Sequence, residues 1–488
     1  MTERQYINGE WTPSHGNDVF EQRNPARLSE VTGVWPQGDN EDARRAIDAA
    51  GAAYPGWKAL PAIRRADLLR KVLETMDRRR EEIARIITAE NGKTIKDSRA
   101  EVQSAYREME FQIGEGVRLS GVTRPTARPG VFAYERREAL GVVSVIAPWN
   151  FPFNVPGRKA TPALMAGNTV VFKPASLTPR VGKAFVELFD EAGVPPGVIN
   201  MVVGPGSTVG SAFTSSPEIR AISFTGSTEV GRRIHRTASG QMIRTQLEMG
   251  GKNALVVLAD ADLDAAVKSA ARSAYACTGQ WCTSTSRAIV ERSVLPEFLD
   301  RLTAIVGRMK TGDGADATTD MGPLCGTEQL ETVSEYLRIG IEEGARLVAG
   351  GERLTGAPFD DGCFIAPTVF DSVRPDMRIA QEEIFGPVLA VMEAADYDEA
   401  VRLANEVPFG LTSSIYTNDL ERAMCFIDQI EAGIVHVNML TAYKEPAFTF
   451  GGVKDSGFGV PEAGSSGIEF FTEHKVAYIR YRKESAHE

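Results

Sequence analysis

Four short apolar runs between Gly141 and Phe224 limit the chain's options more than any other feature. They are Gly141–Ala147 (GVVSVIA), Thr169–Phe172 (TVVF), Gly197–Val203 (GVINMVV) and Ala221–Phe224 (AISF). None alternates apolar with polar residues. A strand with one wet face alternates, so strands without that pattern are covered on both faces. The segments between them, Pro179–Ala192 for example, have helical spacing. Strand–helix alternation of this kind predicts a parallel, doubly wound sheet. Helical spacing also fills residues 40–120, with Ala43, Ala46, Ile47 and Ala50 on one face. A second alternating region begins near Lys252. It has strand-like runs at Ala254–Leu258, Ala288–Val290, Val388–Met392 and Gly433–Val437, and helical patterns at Leu295–Met309 and Glu328–Glu343. A length of 488 residues exceeds what one hydrophobic core serves, so two α/β domains are expected. Residues 123–140 are polar and β-prone, and Val476–Tyr481 alternates like an exposed strand. Those two pieces suit an outlying sheet.

Composition excludes several partners. The formal net charge of -11 disfavours nucleic acid and anionic membranes, though a local basic pocket for a small anion stays open. The five scattered cysteines, Cys277, Cys282, Cys325, Cys363 and Cys425, are not a disulfide framework. The charged start Met1–Gln5 has no apolar core of a signal peptide, and no apolar run approaches membrane-spanning length. A reducing, cytoplasmic setting is the expectation.

Five local features suggest chemistry, and each has a plain structural alternative. Cys282, in Gly279-Gln280-Trp281-Cys282-Thr283-Ser284, follows a helical stretch and a glycine turn. It is either an exposed nucleophile or an inert buried thiol. Glu248 precedes Gly250 and Gly251 at the end of a strand-like run, as a general base or as a surface carboxylate before a turn. Asn150, in Pro148-Trp149-Asn150-Phe151-Pro152, follows the first strand, as an oxyanion donor or as a turn former. The glycine loops at 204–210 and 224–231 both follow strands and open helices, where backbone N–H groups can meet a pyrophosphate. Neither has the G-x-G-x-x-G spacing. Lys173, at the end of the second strand, suits ribose or phosphate, or is a surface lysine.

Read together and in order, PWNFP at 148–152, FKPAS at 172–176, FTGSTEVG at 224–231, LEMGGK at 247–252, GQWCTS at 279–284 and EEIFGPV at 382–388 resemble the aldehyde dehydrogenase superfamily over nearly the whole chain. The resemblance implies an α/β fold: a Rossmann-like cofactor domain (1–122 and 141–249), an α/β catalytic domain (250–465) and a small β oligomerisation element (123–140 and 466–488). It implies Cys282 as nucleophile, Glu248 as the base for deacylation, and Asn150 with the Cys282 backbone N–H as oxyanion donors. Lys173 and Ser176 would hold the adenosine ribose. Gly206 and Ser227 would line the adenosine–pyrophosphate path, and Glu383 and Phe385 would hold the nicotinamide ribose and ring. Ile146, Pro148, Trp149 and Gly250 fall in cofactor-lining stretches. It further implies oxidation of an aldehyde to the acid through a thiohemiacetal and thioester, no metal, and a homodimer or homotetramer.

Cofactor and substrate follow from departures within those motifs. NAD-specific relatives often carry Glu where Ser176 stands. Without that carboxylate a 2′-phosphate is not repelled and Lys173 can pair with it, so NAD or NADP is expected, with NADP tolerated or preferred. Arg158 matches an arginine of succinic and α-ketoglutaric semialdehyde dehydrogenases and suits a distal carboxylate. Trp281, beside the nucleophile, favours a ring instead. A carboxylated semialdehyde is the reading adopted, with a benzaldehyde- or vanillin-like aldehyde as the alternative. A CoA-acylating dehydrogenase and a thiol esterase are the more distant ones. Thr449-Phe450-Gly451-Gly452 departs from the family's usual PFGG.

Overall fold

The strand Val142–Ile146 is buried along its whole length, as are Thr169–Lys173 and Ile199–Met201, which is why these runs carry no polar alternation. They belong to an eight-stranded sheet in the computed structural model, which describes residues 2–482. Its order is Glu10–Thr12, Gln5–Ile7, Ile199–Met201, Thr169–Lys173, Val142–Ile146, Ile219–Thr225, Arg244–Glu248 and Gly457–Phe458. The inner five run parallel. The outer ones are antiparallel. Val142–Ile146 lies between the Thr169–Lys173 and Ile219–Thr225 strands. Chain connections diverge at its carboxyl end, and open α/β sheets bind ligands at such a switch point.

Helices cover this sheet. The expected helical stretch resolves into Asn40–Ala59, Ala62–Arg78, Arg80–Asn91 and Ile95–Arg118. Asp39 caps the first by accepting from Glu41 N and Asp42 N. Gly92, at φ 90°, ends the third in the left-handed conformation that glycine tolerates. Ile95–Arg118 packs against Asn154–Met165, which is buried throughout.

Only residues 249–253 separate Glu248 from a second sheet. Its order is Arg346–Ala349, Thr368–Asp371, Val388–Ala394, Arg287–Glu291, Ala254–Val257, Thr412–Tyr416 and Ile434–Val437. All neighbours are parallel except the first pair. The helices Leu295–Val306 and Thr327–Glu342 fall where the spacing predicts them. Arg287 is fully buried and donates to Lys252 O, Leu403 O and Ala404 O, so one guanidinium joins the sheet's entry loop to the end of the Tyr397–Asn405 helix. The first sheet presents its carboxyl edge to the cleft. The second presents its amino edge, because Asn253 and Ser286 immediately precede the paired strands Ala254–Val257 and Arg287–Glu291.

The outlying segments do pair. Thr472–Arg480 runs antiparallel to Val131–Ala139 in continuous register from Thr472↔Ala139 to Arg480↔Val131, and Val122–Thr123 adds a third strand. Residues 483–488 of the expected 466–488 segment, His487 among them, and Met1 lie outside the described residues. The hairpin of Val19–Asn24 with Arg27–Pro36 was not expected from the sequence. Among the described residues no helix is long and apolar enough to cross a membrane.

Candidate active site

The nucleophile loop begins with backbone strain. Cys277 and Thr278 have φ of 51° and 59°, directly after the Leu263–Tyr275 helix. A positive φ is costly for a β-branched residue and persists only where surroundings enforce it. Here Thr278 Oγ1 donates to Gly322 O at 3.0 Å and Cys325 N donates to Gln280 Oε1 at 2.8 Å. Gly279 continues the turn at φ 68°, and a methyl there would overlap the Gly386 carbonyl. After the turn, Asn253 Nδ2 holds both Cys282 O at 2.7 Å and Ser284 O at 2.8 Å. Cys282 is thus set at the mouth of the second sheet, packed on the apolar cluster of Leu411, Phe450 and Ala463.

Asn150 comes from the other sheet, just past Val142–Ile146. It is buried, and its amide donates to Gln280 O at 3.1 Å, which uses one of its two N–H groups. The Cys282 N–H has no protein acceptor among the described residues. Two donors are therefore available near the sulfur for a developing oxyanion. The Asn150 carbonyl accepts from Lys93 Nζ at 2.6 Å, and Lys93 also pairs with Glu101 at 2.7 Å, both fully buried. Glu101 in turn accepts from Phe153 N and Asn154 N, so this ion pair fixes the whole 149–154 turn.

Glu248 closes the Arg244–Glu248 strand and is buried, with Oε2 lacking any hydrogen-bond partner. Burial, reinforced by the Glu462 carboxylate, holds its carboxyl well above the usual range, and Lys159 and Arg158 partly oppose this. Glu462 is ion-paired with Lys159, whose ammonium also donates to Ser223 Oγ at 3.0 Å. Burial pushes the Cys282 thiol up to about 12, against the pull of the Arg158 charge. Burial thus favours the uncharged form of both groups, and the Glu248 charge acts on the Cys282 thiol.

Arg158 lies on the Asn154–Met165 helix and is only 6% exposed. Its Nε donates to Glu108 at 2.8 Å and its Nη2 to Asn154 Oδ1 at 2.8 Å, while Nη1 is 3.6 Å from Glu462. Phe450, from the departing TFGG segment, stacks 4.5 Å from its guanidinium carbon. The fork expected for substrate is thus largely occupied by internal acceptors. Trp281 packs on Phe151 at 5.3 Å between ring centroids.

Most of the residues expected to hold a dinucleotide fall along the carboxyl edge of the first sheet, and Glu383 and Phe385 precede the Val388–Ala394 strand of the second. Ile146 ends its strand, and Pro148 and Trp149 follow it, with the Trp149 ring edge-on to Phe385 at 5.3 Å. Lys173 ends the next strand, buried, and the Pro174 carbonyl is its one hydrogen-bond acceptor among the described residues. Burial lowers its pKa to about 8, so an anion placed there would restore full charge. Ser176 Oγ donates to Gly204 O at 3.4 Å. Ser227 is exposed and caps the Thr228–Ser239 helix through Val230 N, and Gly206 opens the turn Gly206–Gly210 with free space where a Cβ would stand. Glu383 accepts from Gly251 N at 3.1 Å, and any side chain at Gly250 would collide with its carboxylate. Burial raises Glu383 to about 7. An unpaired buried ammonium, a helix-opening glycine turn and a ring beside the sulfur fit a dinucleotide that ends at Cys282.

Sequence reasoning did not single out Lys93, Glu101, Glu108, Lys159, Asn253, Lys444 or Glu462. Lys159 and Glu462 meet across 303 positions and Glu108 and Lys444 across 336, and such pairs leave no local pattern.

A doubly wound dinucleotide-type sheet facing a strained cysteine loop, with a buried carboxyl and amide donors between them, defines a class of oxidoreductases that act through a covalent thiol. Residues 11–477 match the aldehyde dehydrogenase family, and the chain belongs to it. It is similar to an alpha-ketoglutaric semialdehyde dehydrogenase of Bacillus subtilis, 39% identical over 475 residues covering 97% of each chain. Among solved structures it resembles the betaine aldehyde dehydrogenase of Staphylococcus aureus in complex with NAD+, with a TM-score of 0.96 at 33% identity, covering 99% of this chain and 96% of that one. It also resembles an NADP dependent enzyme of E. coli, with a TM-score of 0.94 at 35% identity and 98% of each chain covered. The chain is an NAD(P)-dependent aldehyde dehydrogenase.

Proposed function

We propose that the enzyme oxidises a carboxylated semialdehyde to the dicarboxylic acid, with Cys282 as nucleophile, Glu248 as base, and Asn150 and the Cys282 N–H as oxyanion donors. The observation that carries this is the placement of Cys282 beside a buried carboxyl, Glu248, whose Oε2 is unpartnered. The thiol adds to the aldehyde carbon. An S–C bond forms, and the carbonyl π pair becomes an oxyanion that Asn150 and the backbone N–H hold. The thiol proton passes to Glu248 and from it to solvent, which restores the carboxylate. A bound nicotinamide would supply the acceptor for the hydride of that carbon, and loss of the hydride would leave a thioester on Cys282. The Glu248 carboxylate then takes a proton from water as the water oxygen adds to the thioester carbon; the C–S bond breaks, the acid departs, and the proton on Glu248 returns to the sulfur as the thiol re-forms.

Lys173, Ser176, Gly206 and Ser227 would hold the adenosine end of the cofactor. Ile146, Pro148, Trp149, Gly250, Glu383 and Phe385 would line the nicotinamide end. No carboxylate stands at Ser176, which supports use of NADP beside NAD. The B. subtilis relative acts on a carboxylated semialdehyde, and the Arg158 charge near Cys282 favours the same class here. The division into 1–122 with 141–249, 250–465, and 123–140 with 466–488 is part of this reading. So is assembly as a dimer or tetramer through the Val131–Ala139 and Thr472–Arg480 strands, whose Phe132, Tyr478 and Ile479 are exposed. Five free cysteines suit a reducing, cytoplasmic setting.

The test follows nicotinamide reduction at 340 nm with NAD and NADP against α-ketoglutaric semialdehyde, succinic semialdehyde and benzaldehyde. The expected outcome is highest kcat/KM on a semialdehyde, activity with both cofactors, and no reduction by Cys282→Ala. Benzaldehyde as the best substrate would favour the aromatic reading, in which Trp281 and Phe151 set specificity.

A further inference from the structure

A cavity of about 400 Å³ opens beside the nucleophile. Its wall shares Phe450 and Ala463 with the apolar cluster on which Cys282 packs, and the Lys444 charge on that wall acts on the Cys282 thiol. Most of the lining is apolar or backbone. Its ionisable lining residues are Glu108, His436, Tyr443, Lys444 and Glu445, of which Lys444 is the one lysine or arginine. Glu445 is engaged by the Tyr443 hydroxyl. Arg158 is not part of the lining, and its Nε and Nη2 are bound to Glu108 and Asn154.

Lys444 shares the Glu108 and Asn154 acceptors with Arg158 but, unlike it, lies in the cavity wall. Its side chain is 26% exposed, and its ammonium donates to Glu108 Oε1 and, at 3.3 Å, to Asn154 Oδ1. An ammonium carries three N–H groups, so one is left over on the cavity side. Glu108 is a single negative charge shared by two cations, Arg158 and Lys444. Glu462 lies on Lys159 and only 3.6 Å from the far side of Arg158. The cavity wall thus holds one ammonium, Lys444, that shares the Glu108 carboxylate with Arg158.

The backbone holds this lysine in register with the nucleophile. His436 Nε2–H donates to Tyr443 O at 2.9 Å, one residue before Lys444. Thr441 Oγ1 donates to Thr283 O at 2.7 Å, one residue after Cys282. Thr412 Oγ1 donates to Thr441 O at 3.0 Å. A side chain fixed in this way is suited to measuring the distance from the reacting carbon to a second group on the substrate.

We propose that Lys444 is the specificity-determining contact for the distal carboxylate of a short carboxylated aldehyde, with Arg158 supplying positive charge from behind it. This rests on the carboxylated-aldehyde reading above. The carboxylate takes the remaining N–H of Lys444 while the aldehyde carbon lies at Cys282, and Glu108 keeps both cations in place.

Succinic semialdehyde and butanal share a four-carbon chain and differ in the carboxylate. Their ratio of kcat/KM is measured in wild type, Lys444→Met and Lys444→Arg. Wild type is expected to prefer the semialdehyde. In Lys444→Met that ratio is expected to fall about 10- to 100-fold, mainly through KM, while Lys444→Arg keeps it within a few-fold. A wild-type preference that Lys444→Met leaves intact overturns the role of Lys444 and spares the carboxylated-aldehyde reading. A wild type that does not distinguish the two aldehydes overturns both. Equal loss on both aldehydes in Lys444→Met overturns the proposal as well, because it assigns the lysine to holding Glu108 rather than to substrate.

Discussion

Glu248 shows how much of the site's chemistry comes from where one side chain is put. A carboxylate at the buried end of the Arg244–Glu248 strand is desolvated, and a second carboxylate, Glu462, acts on it. Both effects disfavour the charged form, so its pKa lies well above the ordinary glutamate value. The base is active only when deprotonated. Thioester hydrolysis should therefore still be rising with pH in a range where an ordinary glutamate is already fully ionised. Stopped-flow measurement of the steady-state phase across pH checks this. Glu248→Gln should slow that phase by about 10²- to 10⁴-fold and remove the rise. The role proposed for Glu248 comes from LEMGGK only through resemblance, since a lone Glu before two glycines is ordinary. Its raised pKa was not legible, because Glu462 and Lys159, which set it, are 214 and 89 positions away in the chain.

The elements were read more fully than the groups between them. Strands such as Val142–Ile146 and Ala254–Val257 could be seen because burial on both faces removes polar alternation, and that is a local property. The Val19–Asn24 and Arg27–Pro36 hairpin was missed because its exposed faces carry mixed residues with irregular register. The 149–154 turn illustrates a contact that no period announces. It is held by Lys93, in the link between two helices, and by Glu101 on the second of them. Lys93→Met leaves Glu101 buried and uncompensated and frees the Asn150 carbonyl. Breaking such a pair costs about 3–5 kcal/mol, so the urea midpoint should fall clearly. If the turn is what positions Asn150, kcat of the folded fraction should fall as well. An unchanged midpoint would remove the pair from the account.

At the scale of the molecule, the reaction depends on two sheets meeting edge to edge. The first brings Asn150 and Glu248 to its carboxyl end, and the second brings Cys282 to its amino end through Asn253. Rules for open α/β sheets point to carboxyl edges, so the sequence located the first half of the cleft by physics and the second half only by motif. The central claim is that this meeting makes one covalent site, in which Cys282 is acylated and Glu248 releases the acyl group. The direct measurement is the intact mass of Glu248→Gln after mixing with succinic semialdehyde and NAD or NADP and quenching in acid. The account predicts a stable acyl adduct on Cys282, close to one per chain, that is absent from Cys282→Ala. An unmodified Glu248→Gln chain that nonetheless converts aldehyde to acid would contradict it.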